Sequence, residues 1–492
     1  MVLTRSALSI VVTWLLLAGC SKQIAAQPSA ADLFITASYA TATTAMEMGD
    51  TESALLSIQD ALEPSTFDPL SPARKYDVLR IEGHASLHEG QWVRAHRALL
   101  KVTAYPQADN ADWQARLLSA IMSNAEEDIL PSFKHLADSK APFLKHYPWL
   151  HMQRMDQLVG LLPNYTEARI LIGQEAERQD WRPIYAEDDP SPFWLNYVEA
   201  LVSRGDVARA SKVAARISDP EVIGWMHKDR RFDAVLAMNP QQQDLERAKA
   251  AYLEAAETQA AEKPRLLGAK IAVSEALVRA DRLEVALQVL DEASETIANA
   301  PRGHAPFDDM YEVGELPSYK AAILGSLGRS DEAIGLRLAQ AGRGAGYTLT
   351  LGAELLGFDR NKDALKWLNR VQSAEIGPHG QMRVAQYKVC AADRLGEQDI
   401  VKQQMALLVT QERRMPKALM FAYLCLNDME AAAEVAARQL EDPRYRLAAL
   451  TALSDEAGAS VKSPYNLRMT TKLAALRDHP RVRAQIQKVG RL

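Results

Sequence analysis

The chain has 492 residues, of which 48% are hydrophobic and 24% are charged, and its formal net charge is −6 at pH 7. These proportions are those of a folded protein and exclude an intrinsically disordered chain. The length fits either several domains or one long repeat array. The negative net charge argues against general nucleic-acid binding, which requires a basic surface that displaces counterions.

Residues 1–19 have the layout of a signal peptide. Arg5 is followed by an apolar stretch at 7–17, which is too short for the ~20 residues that a membrane-spanning helix requires. The sequence LAGC at 17–20 ends this segment and resembles the lipobox of bacterial lipoproteins. An ordinary secretory signal that has a cysteine near its cleavage site by chance is the alternative.

The lipobox resemblance implies cleavage between Gly19 and Cys20 and a lipid anchor on Cys20, with palmitate-type acyl chains. Several acyl chains on one residue hold a protein stably at a membrane. Ser21 follows, and by analogy with Gram-negative lipoproteins the absence of Asp at this position implies an outer-membrane location facing the periplasm. Residues 20–30 then form a tether that reaches at most ~40 Å.

Helix is predicted almost everywhere after the tether. Segments such as 244–262 and 472–489 are rich in Ala, Leu, Glu, Lys and Arg, which lose little entropy in a helix. Gly, Asp or Asn separates short helical stretches, and this punctuation indicates helical hairpins.

A repeated spacing runs along these hairpins. A turn residue that tolerates positive φ is followed by a small residue five positions later, where two helices cross closely, and in most copies by an apolar residue nine positions later. The turn residues are Gly49, Gly90, Gly205, Asp281, Gly328, Asp359, Gly396 and Asn427. The fifth positions hold Ala54, Ala95, Ala210, Ala286, Ala333, Ala364, Val401 and Ala432. The ninth positions hold Ile58, Leu99, Ala214, Leu290, Arg337, Leu368, Met405 and Ala436.

This spacing resembles the tetratricopeptide repeat, a helix-turn-helix unit of 34 residues. The resemblance implies an all-α fold, an α-solenoid of degenerate TPR-like helical hairpins that is irregular in the middle. The turn residues Gly90 and Gly205 are 115 positions apart, and Gly205 and Asp281 are 76 apart. Both gaps are near multiples of the repeat length and predict hidden copies. An irregular helical bundle is the alternative.

The chain is therefore predicted to consist of six segments. They are a signal peptide (1–19), a lipidated tether (20–30), N-terminal repeats (31–130), an irregular helical segment with a Pro-rich acidic loop (131–192), the main repeat array (193–460) and a basic C-terminal capping helix (461–492). The last segment could instead meet anionic lipid or an acidic partner.

Candidate partner-binding residues lie in two places. Prolines and acidic residues predict a loop at 301–317, which mixes carboxylates with aromatic side chains and is suited to a basic or amphipathic partner. A solvated insertion between repeats is the alternative there. Tryptophans that could line a glycan-binding groove are the other candidates. The candidates are Phe307, Asp308, Asp309, Met310, Tyr311, Glu312, Trp149, Trp181 and Trp194.

Cys390 and Cys425 are the remaining cysteines once Cys20 is assigned to lipid. They could pair in an oxidising compartment, or each could be a small residue of the helical core.

No catalytic residue, cofactor or metal site is predicted. His84 and His88 lie on one helical face but lack a third ligand, and the glycines at 342–346 lack the Lys-Ser/Thr of a phosphate loop. The chain is accordingly not predicted to be an enzyme.

A helical-repeat array offers a groove for a peptide or helix. With the lipobox resemblance, this predicts an outer-membrane-anchored lipoprotein that binds envelope proteins as a scaffold or assembly factor, in secretion, pilus biogenesis, polysaccharide export or cell-wall synthesis. The alternatives are a peptidoglycan- or polysaccharide-binding protein and, less favoured, a glycan-acting enzyme with two carboxylates about 5 to 9.5 Å apart.

Overall fold

The structure is a computed structural model that describes residues 30–140, 142–144, 147–183, 188–372, 376–454 and 463–492. Gly19, Cys20, the signal segment and residues 20–29 of the tether lie outside the described residues. Within the described ranges the regular structure is helical, apart from one bridge between Asp229 and Gly490. No helix in these ranges is long and apolar enough to cross a membrane. The chain divides into two compact units, the first ending at Ala115 and the second beginning at Arg116.

Two stacked hairpins form the first unit. Helices α1 (Ala30–Glu47) and α2 (Thr51–Ile58) form one hairpin, α3 (Pro64–Phe67) follows, and α4 (Pro72–His88) and α5 (Trp92–Val102) form the other. Helix α2 packs against α4, so the hairpins bury their apolar faces on each other. Helix α6 (Asn110–Ser123) begins in this unit and ends in the second.

The second unit contains the remaining helices. Those of its first part are α7 (Glu126–Asp138), α8 (Trp149–Val159), α9 (Tyr165–Arg178), α10 (Ser191–Ser203), α11 (Val207–Ala214), α12 (Pro220–Lys228), α13 (Asp233–Ala237) and α14 (Leu245–Glu262). Those of its second part are α15 (Leu267–Arg279), α16 (Leu283–Ala298), α17 (Leu316–Ser326), α18 (Ser330–Gln340), α19 (Ala345–Gly357), α20 (Asn361–Leu368), α21 (Pro378–Leu395), α22 (Gln398–Thr410), α23 (Pro416–Cys425), α24 (Met429–Glu441), α25 (Pro443–Leu453), α26 (Pro464–Asp478) and α27 (Pro480–Val489).

Consecutive hairpins stack from α15 to α24. Each odd-numbered helix of this stretch pairs with the even-numbered helix that follows it, and the second helix of each hairpin packs against the first helix of the next. This packing of like units in series is that of an α-solenoid. The predicted all-α fold of TPR-like hairpins is confirmed.

The predicted turns are confirmed at all eight positions. Every predicted turn residue has a φ between +57° and +81°. The N–H of the next residue then donates to the carbonyl five positions earlier, for example from Arg360 to Leu355 at 2.9 Å. This is the Schellman arrangement, which satisfies helix-end carbonyls and requires a residue that tolerates the left-handed region.

Most residues at the fifth and ninth positions after the turns are buried where the helices pack against one another. All seven alanines at the fifth position have no exposed surface, and the leucines at the ninth position are fully buried as well. A further position, seven residues before the turn, completes the contact. A Cβ built on Gly83 would lie 2.7 Å from Leu99 Cγ, and one on Gly352 would lie 2.6 Å from Leu368 Cδ2. A minimal side chain at this position makes room for the leucine of the facing helix.

The two long gaps differ in the structure. The first gap is close to three repeat units and so predicts two hidden copies. One is present at Asn124, which has a φ of +60° and is followed five and nine positions later by the fully buried Ile129 and Phe133, and a second turn with positive φ lies at Asp180, at +45°. In the second gap, all of which is described, no residue between Gly205 and Asp281 has positive φ. The prediction of another copy with this turn is wrong there. Helix α12 is capped by Asp219 instead, and a 3-10 turn follows Asp229.

Cys390 and Cys425 form a disulfide, which the sequence left open. Their Cα atoms are 5.2 Å apart, and the bond joins α21 to α23. The hydroxyl of Tyr465 on α26 lies 3.6 Å from Cys390 Sγ and 3.7 Å from Cys425 Sγ. The disulfide therefore lies where three helices of the second unit meet.

The basic C-terminal segment forms two helices rather than the predicted single helix. Helix α26 packs against α19, α23, α24 and α25, while α27 packs against α24. Arg468 Nη1 lies 2.9 Å from Asp359 Oδ2, and Lys472 Nζ donates to the Leu424 carbonyl at 2.6 Å. The N–H of Arg491 donates to the Lys228 carbonyl at 2.9 Å. These contacts therefore hold the segment against the repeat array.

Candidate functional site

The predicted loop at 301–317 is folded against α15. Phe307 is buried in the core that surrounds α15. The Asp309 carboxylate accepts the N–H groups of Leu267 at 2.6 Å and Gly268 at 2.8 Å. Because the first N–H groups of a helix lack internal partners, this carboxylate stabilises the start of α15. Asp308 is exposed and pairs with Arg265 at 2.7 Å.

The rest of this segment is a short 3-10 helix at Met310–Gly314. Met310 is half-buried against the same core, and Glu312 is buried. Tyr311 remains 59% exposed. Phe307 and Glu312 are buried and so cannot contact a partner. Asp309 is also buried, and its carboxylate caps the start of α15. Partner binding stays a prediction for Tyr311, for the half-buried Met310 and for the exposed Asp308.

The predicted tryptophan groove is not formed by the tryptophans that the structure describes. Trp181 and Trp194 are 2% and 3% exposed, and their ring centroids are 6.3 Å apart. Both rings pack on Phe193, and Trp181 Nε1 donates to the Tyr147 carbonyl at 3.2 Å. Their faces are covered, so they cannot stack on a sugar. Trp149 begins α8, and its side chain lies outside the described residues.

A different groove lies along the repeat array. It has a volume of about 480 Å³ and is lined by the first helices of four successive hairpins, α15, α17, α19 and α21, together with the start of α26. On α17 the lining residues Tyr319, Ile323 and Ser326 are spaced four and three apart and share one face, and Arg337 of α18 also lines the groove. The aromatic walls are Tyr319, Phe358, Tyr387 and Tyr465. We call this feature the aromatic groove.

Both arginines that line the aromatic groove are paired with carboxylates. Arg337, the residue that breaks the apolar pattern at the ninth position, is 8% exposed and its Nε lies 3.1 Å from Glu354 Oε2. Burial raises the pKa of Glu354, and the Arg337 charge opposes that shift. Arg279 hydrogen-bonds both oxygens of Asp219, at 2.8 to 3.0 Å. With its ions paired, the aromatic groove suits apolar side chains.

Two carboxylates do converge near the groove, at the starts of α10 and α12. Asp189 Oδ1 accepts the Ser191 N–H at 2.8 Å, and Asp219 Oδ1 accepts the Glu221 N–H at 2.8 Å. Burial, helped by the nearby Asp219 carboxylate, raises the pKa of Asp189 to about 6. Asp219 is 3% exposed and engaged by Arg279. Each carboxylate therefore accepts an N–H group at the start of a helix.

Asp189→Asn should change how stability depends on pH. The folded chain holds the Asp189 proton more tightly than the unfolded chain, whose pKa is about 4. The contribution of this group is therefore fully present below about pH 4 and lost as the pH rises through 6, by at most about 3 kcal/mol at 1.36 kcal/mol per pKa unit. Asparagine keeps an oxygen that accepts the Ser191 N–H and carries no charge. In urea unfolding, the variant should therefore be more stable than the wild type at pH 7 and about equally stable at pH 4.

Asp331→Asn, at an exposed position on α18, is the matched control and should show no such trend. A difference between Asp189→Asn and the wild type that stays constant from pH 4 to 7 would contradict the raised pKa.

The described residues contain no group of three or more His, Cys, Asp or Glu side chains that could hold a metal ion. In the first unit, His84 Nε2 lies 2.9 Å from the buried carboxylate of Asp112, which also accepts from Tyr76 and Arg80. These contacts join α4 to α6 and engage Nε2 of the His84 imidazole.

No protein-family model matches the sequence, and no curated protein matches it. Several solved structures do. The yeast Tom70 structure is 11% identical, with 93% of this chain and 99% of that chain covered and a TM-score of 0.32. A Rap protein complexed with competence and sporulation factor is 11% identical, with coverage of 85% and 99% and a TM-score of 0.34. The APC/C hetero-tetramer Cut9-Hcn1 is 11% identical, with coverage of 94% and 96% and a TM-score of 0.31. At these scores the likeness carries no argument about function.

Proposed function

We propose that this chain is an outer-membrane-anchored periplasmic lipoprotein that binds a segment of a partner protein in the aromatic groove and acts as a scaffold or assembly factor of the cell envelope. The observation that carries the proposal is the aromatic groove itself. Stacked helical hairpins present it as a preformed surface, and an apolar helix or peptide is the kind of ligand that such grooves bind.

The groove's composition supports a protein ligand. Its four aromatic side chains are half-buried, so each still offers surface to a partner. Aromatic side chains contribute large contact areas to protein interfaces at a low entropic cost. The ion pairs Arg337–Glu354 and Arg279–Asp219 need no counter-charge from a ligand.

The location is proposed from the N-terminal sequence, with support from the cysteines. The sequence at 17–20 matches a lipobox, and Cys20 is the residue that would carry the acyl chains. The disulfide between Cys390 and Cys425 is compatible with export, because such bonds persist in oxidising compartments and are rare in the cytosol.

Site-specific photo-crosslinking tests the groove in living cells. A benzophenone amino acid at Ala322, an exposed residue that lines the aromatic groove, should capture one or two envelope proteins. The same probe at Leu338, which is 45% exposed on the paired helix α18 and does not line the groove, is the matched control. Cys20→Ala should abolish the captured product, because the mislocalised chain no longer meets its partner.

Equal capture at both sites, or capture at Leu338 alone, would refute the aromatic groove as the binding surface. Capture at Ala322 that survives Cys20→Ala would retain the groove and refute the anchored location. The two parts of the proposal are therefore tested separately.

A further inference from the structure

A cluster of cations adjoins the aromatic groove in the second unit. It comes from α8, from α21, from the turn before α23 and from α23 itself. We call it the cation face; its cations are Arg154, Arg383, Arg414 and Lys417, and His151 and His379 lie beside them. Helix α21 packs against both α23 and the Glu412–Arg414 turn. A Cβ built on Gly377, just before α21, would lie 4.0 Å from Arg154 Nε, which places α8 beside the start of α21.

Three of the four cations of the cation face, Arg154, Arg383 and Lys417, have no carboxylate partner in the described ranges. Arg383 Nη2 donates to the Tyr387 hydroxyl at 3.0 Å, and Lys417 Nζ lies 5.6 Å from the Phe421 ring centroid. Arg154 Nη2 donates to the Met122 carbonyl at 3.0 Å. Arg414 is the fourth cation, and it pairs with Glu126 at 3.1 Å.

These cations also act on one another. Burial lowers the pKa of Lys417, and the nearby charge of Arg383 lowers it further. Burial also lowers the pKa of His379, against a backbone hydrogen bond with Arg414 that opposes the shift, and burial lowers the pKa of His151. Both imidazoles are therefore mainly neutral at pH 7. Because the whole chain carries a net charge of −6, this excess of positive charge is local. An anion bound here would reduce the repulsion between these cations. Its charge-assisted hydrogen bonds to them would be strengthened because the cations are partly desolvated.

The cation face continues directly from the aromatic groove. Tyr387 lines the groove and receives the hydrogen bond of Arg383, so one residue belongs to both surfaces. Along α21, Arg383 lies one turn and His379 two turns before Tyr387, at about 6 Å per four residues. A ligand that leaves the groove along α21 therefore passes from aromatic walls to cations.

We propose that the segment bound in the aromatic groove is amphipathic and acidic, with carboxylates one and two helical turns from its apolar residues, and that the cation face binds those carboxylates. This inference rests on the proposed function, because it specifies the charge of the ligand that the aromatic groove is proposed to bind. An acidic peptide fits better than a uniformly charged polymer, since the groove itself presents paired ions and aromatic walls.

Fluorescence anisotropy with the full chain in detergent tests the charge of the ligand. The probes are a labelled amphipathic helical peptide of about 18 residues with Leu on one face and Glu on the other, the same peptide with Gln in place of Glu, and an oligogalacturonate. The Glu peptide should bind about tenfold more tightly than the Gln peptide at low salt, and the difference should shrink at high salt. Arg383→Glu with Lys417→Glu should abolish that preference.

Arg481→Glu, a charge reversal at an exposed position on α27, is the control and should leave the preference intact. Equal binding of the Glu and Gln peptides would overturn this inference and leave the proposed function standing. If neither peptide binds, the inference is overturned, and so is the claim that the groove binds a helical ligand. Competition by oligogalacturonate, with no preference for the Glu peptide, would overturn it in favour of an anionic glycan.

Discussion

Replacing Gly352 with valine should destabilise the second unit by about 1–3 kcal/mol or more. A Cβ at this position would lie 2.6 and 2.7 Å from Leu368 Cδ2 and Cγ, and Leu368 is fully buried, so it has little room to move. Urea unfolding followed by far-ultraviolet circular dichroism measures the effect. Gly346→Val on the same helix is the control, because no atom lies within 4 Å of a Cβ there and no loss is expected.

The second substitution Leu368→Ala should restore most of that loss. Alone it should cost about 2–5 kcal/mol by leaving a cavity, whereas with valine at 352 the two volumes compensate. The chain already contains this exchanged pair, since Val198 and Ala214 occupy the same two positions of another copy and both are fully buried. Strictly additive effects in the double variant would show that the two positions do not share one contact.

Removing the disulfide should cost the second unit about 3–4 kcal/mol. The bond closes a loop between residues 35 apart in sequence, and this figure follows from the chain entropy that such a loop removes from the unfolded state. The variant Cys390→Ala/Cys425→Ala should show the loss in urea unfolding. Because Tyr465 lies beside both sulfurs and also lines the aromatic groove, the variant should bind the groove's ligand more weakly as well.

Reduction of the wild type separates the bond from the packing of the two side chains. In dithiothreitol, the free energy of unfolding of the wild type should fall by a similar amount. That of the double alanine variant should not change. If dithiothreitol has no effect on wild-type unfolding, the bond does not contribute to stability, and the loss in the variant belongs to the missing sulfur atoms.

The repeat turns could be predicted because their chemistry is local. A left-handed residue between two helices restricts the side chain to glycine, asparagine or aspartate, as at Gly396, Asn427 and Asp359. The alanine five positions later follows from the close crossing of the same two helices. Asn124 obeys the same rule, but the sequence alone hides this copy, because Ile129 stands where most copies have alanine.

The candidate site was predicted less well. Phe307, Asp309, Trp181 and Trp194 carry the residue types of a binding surface, and the structure buries all four. Composition does not distinguish an acidic residue that meets a partner from one that caps a distant helix. Arg337 was the useful signal: a charged residue at an apolar repeat position needed a buried partner, and that partner, Glu354, lies in the aromatic groove.

Helix formation, turn positions and the repeated small residues were determined by the sequence, since each depends on residues within about ten positions of one another. Only the tertiary structure decided the rest. Asp309 caps a helix start 42 residues earlier, and Cys390 pairs with Cys425 although either could have been a core residue. The aromatic groove needs helices from α15 to α26 side by side. Such contacts join residues whose separation no periodic pattern specifies, and they form only when the hairpins pack.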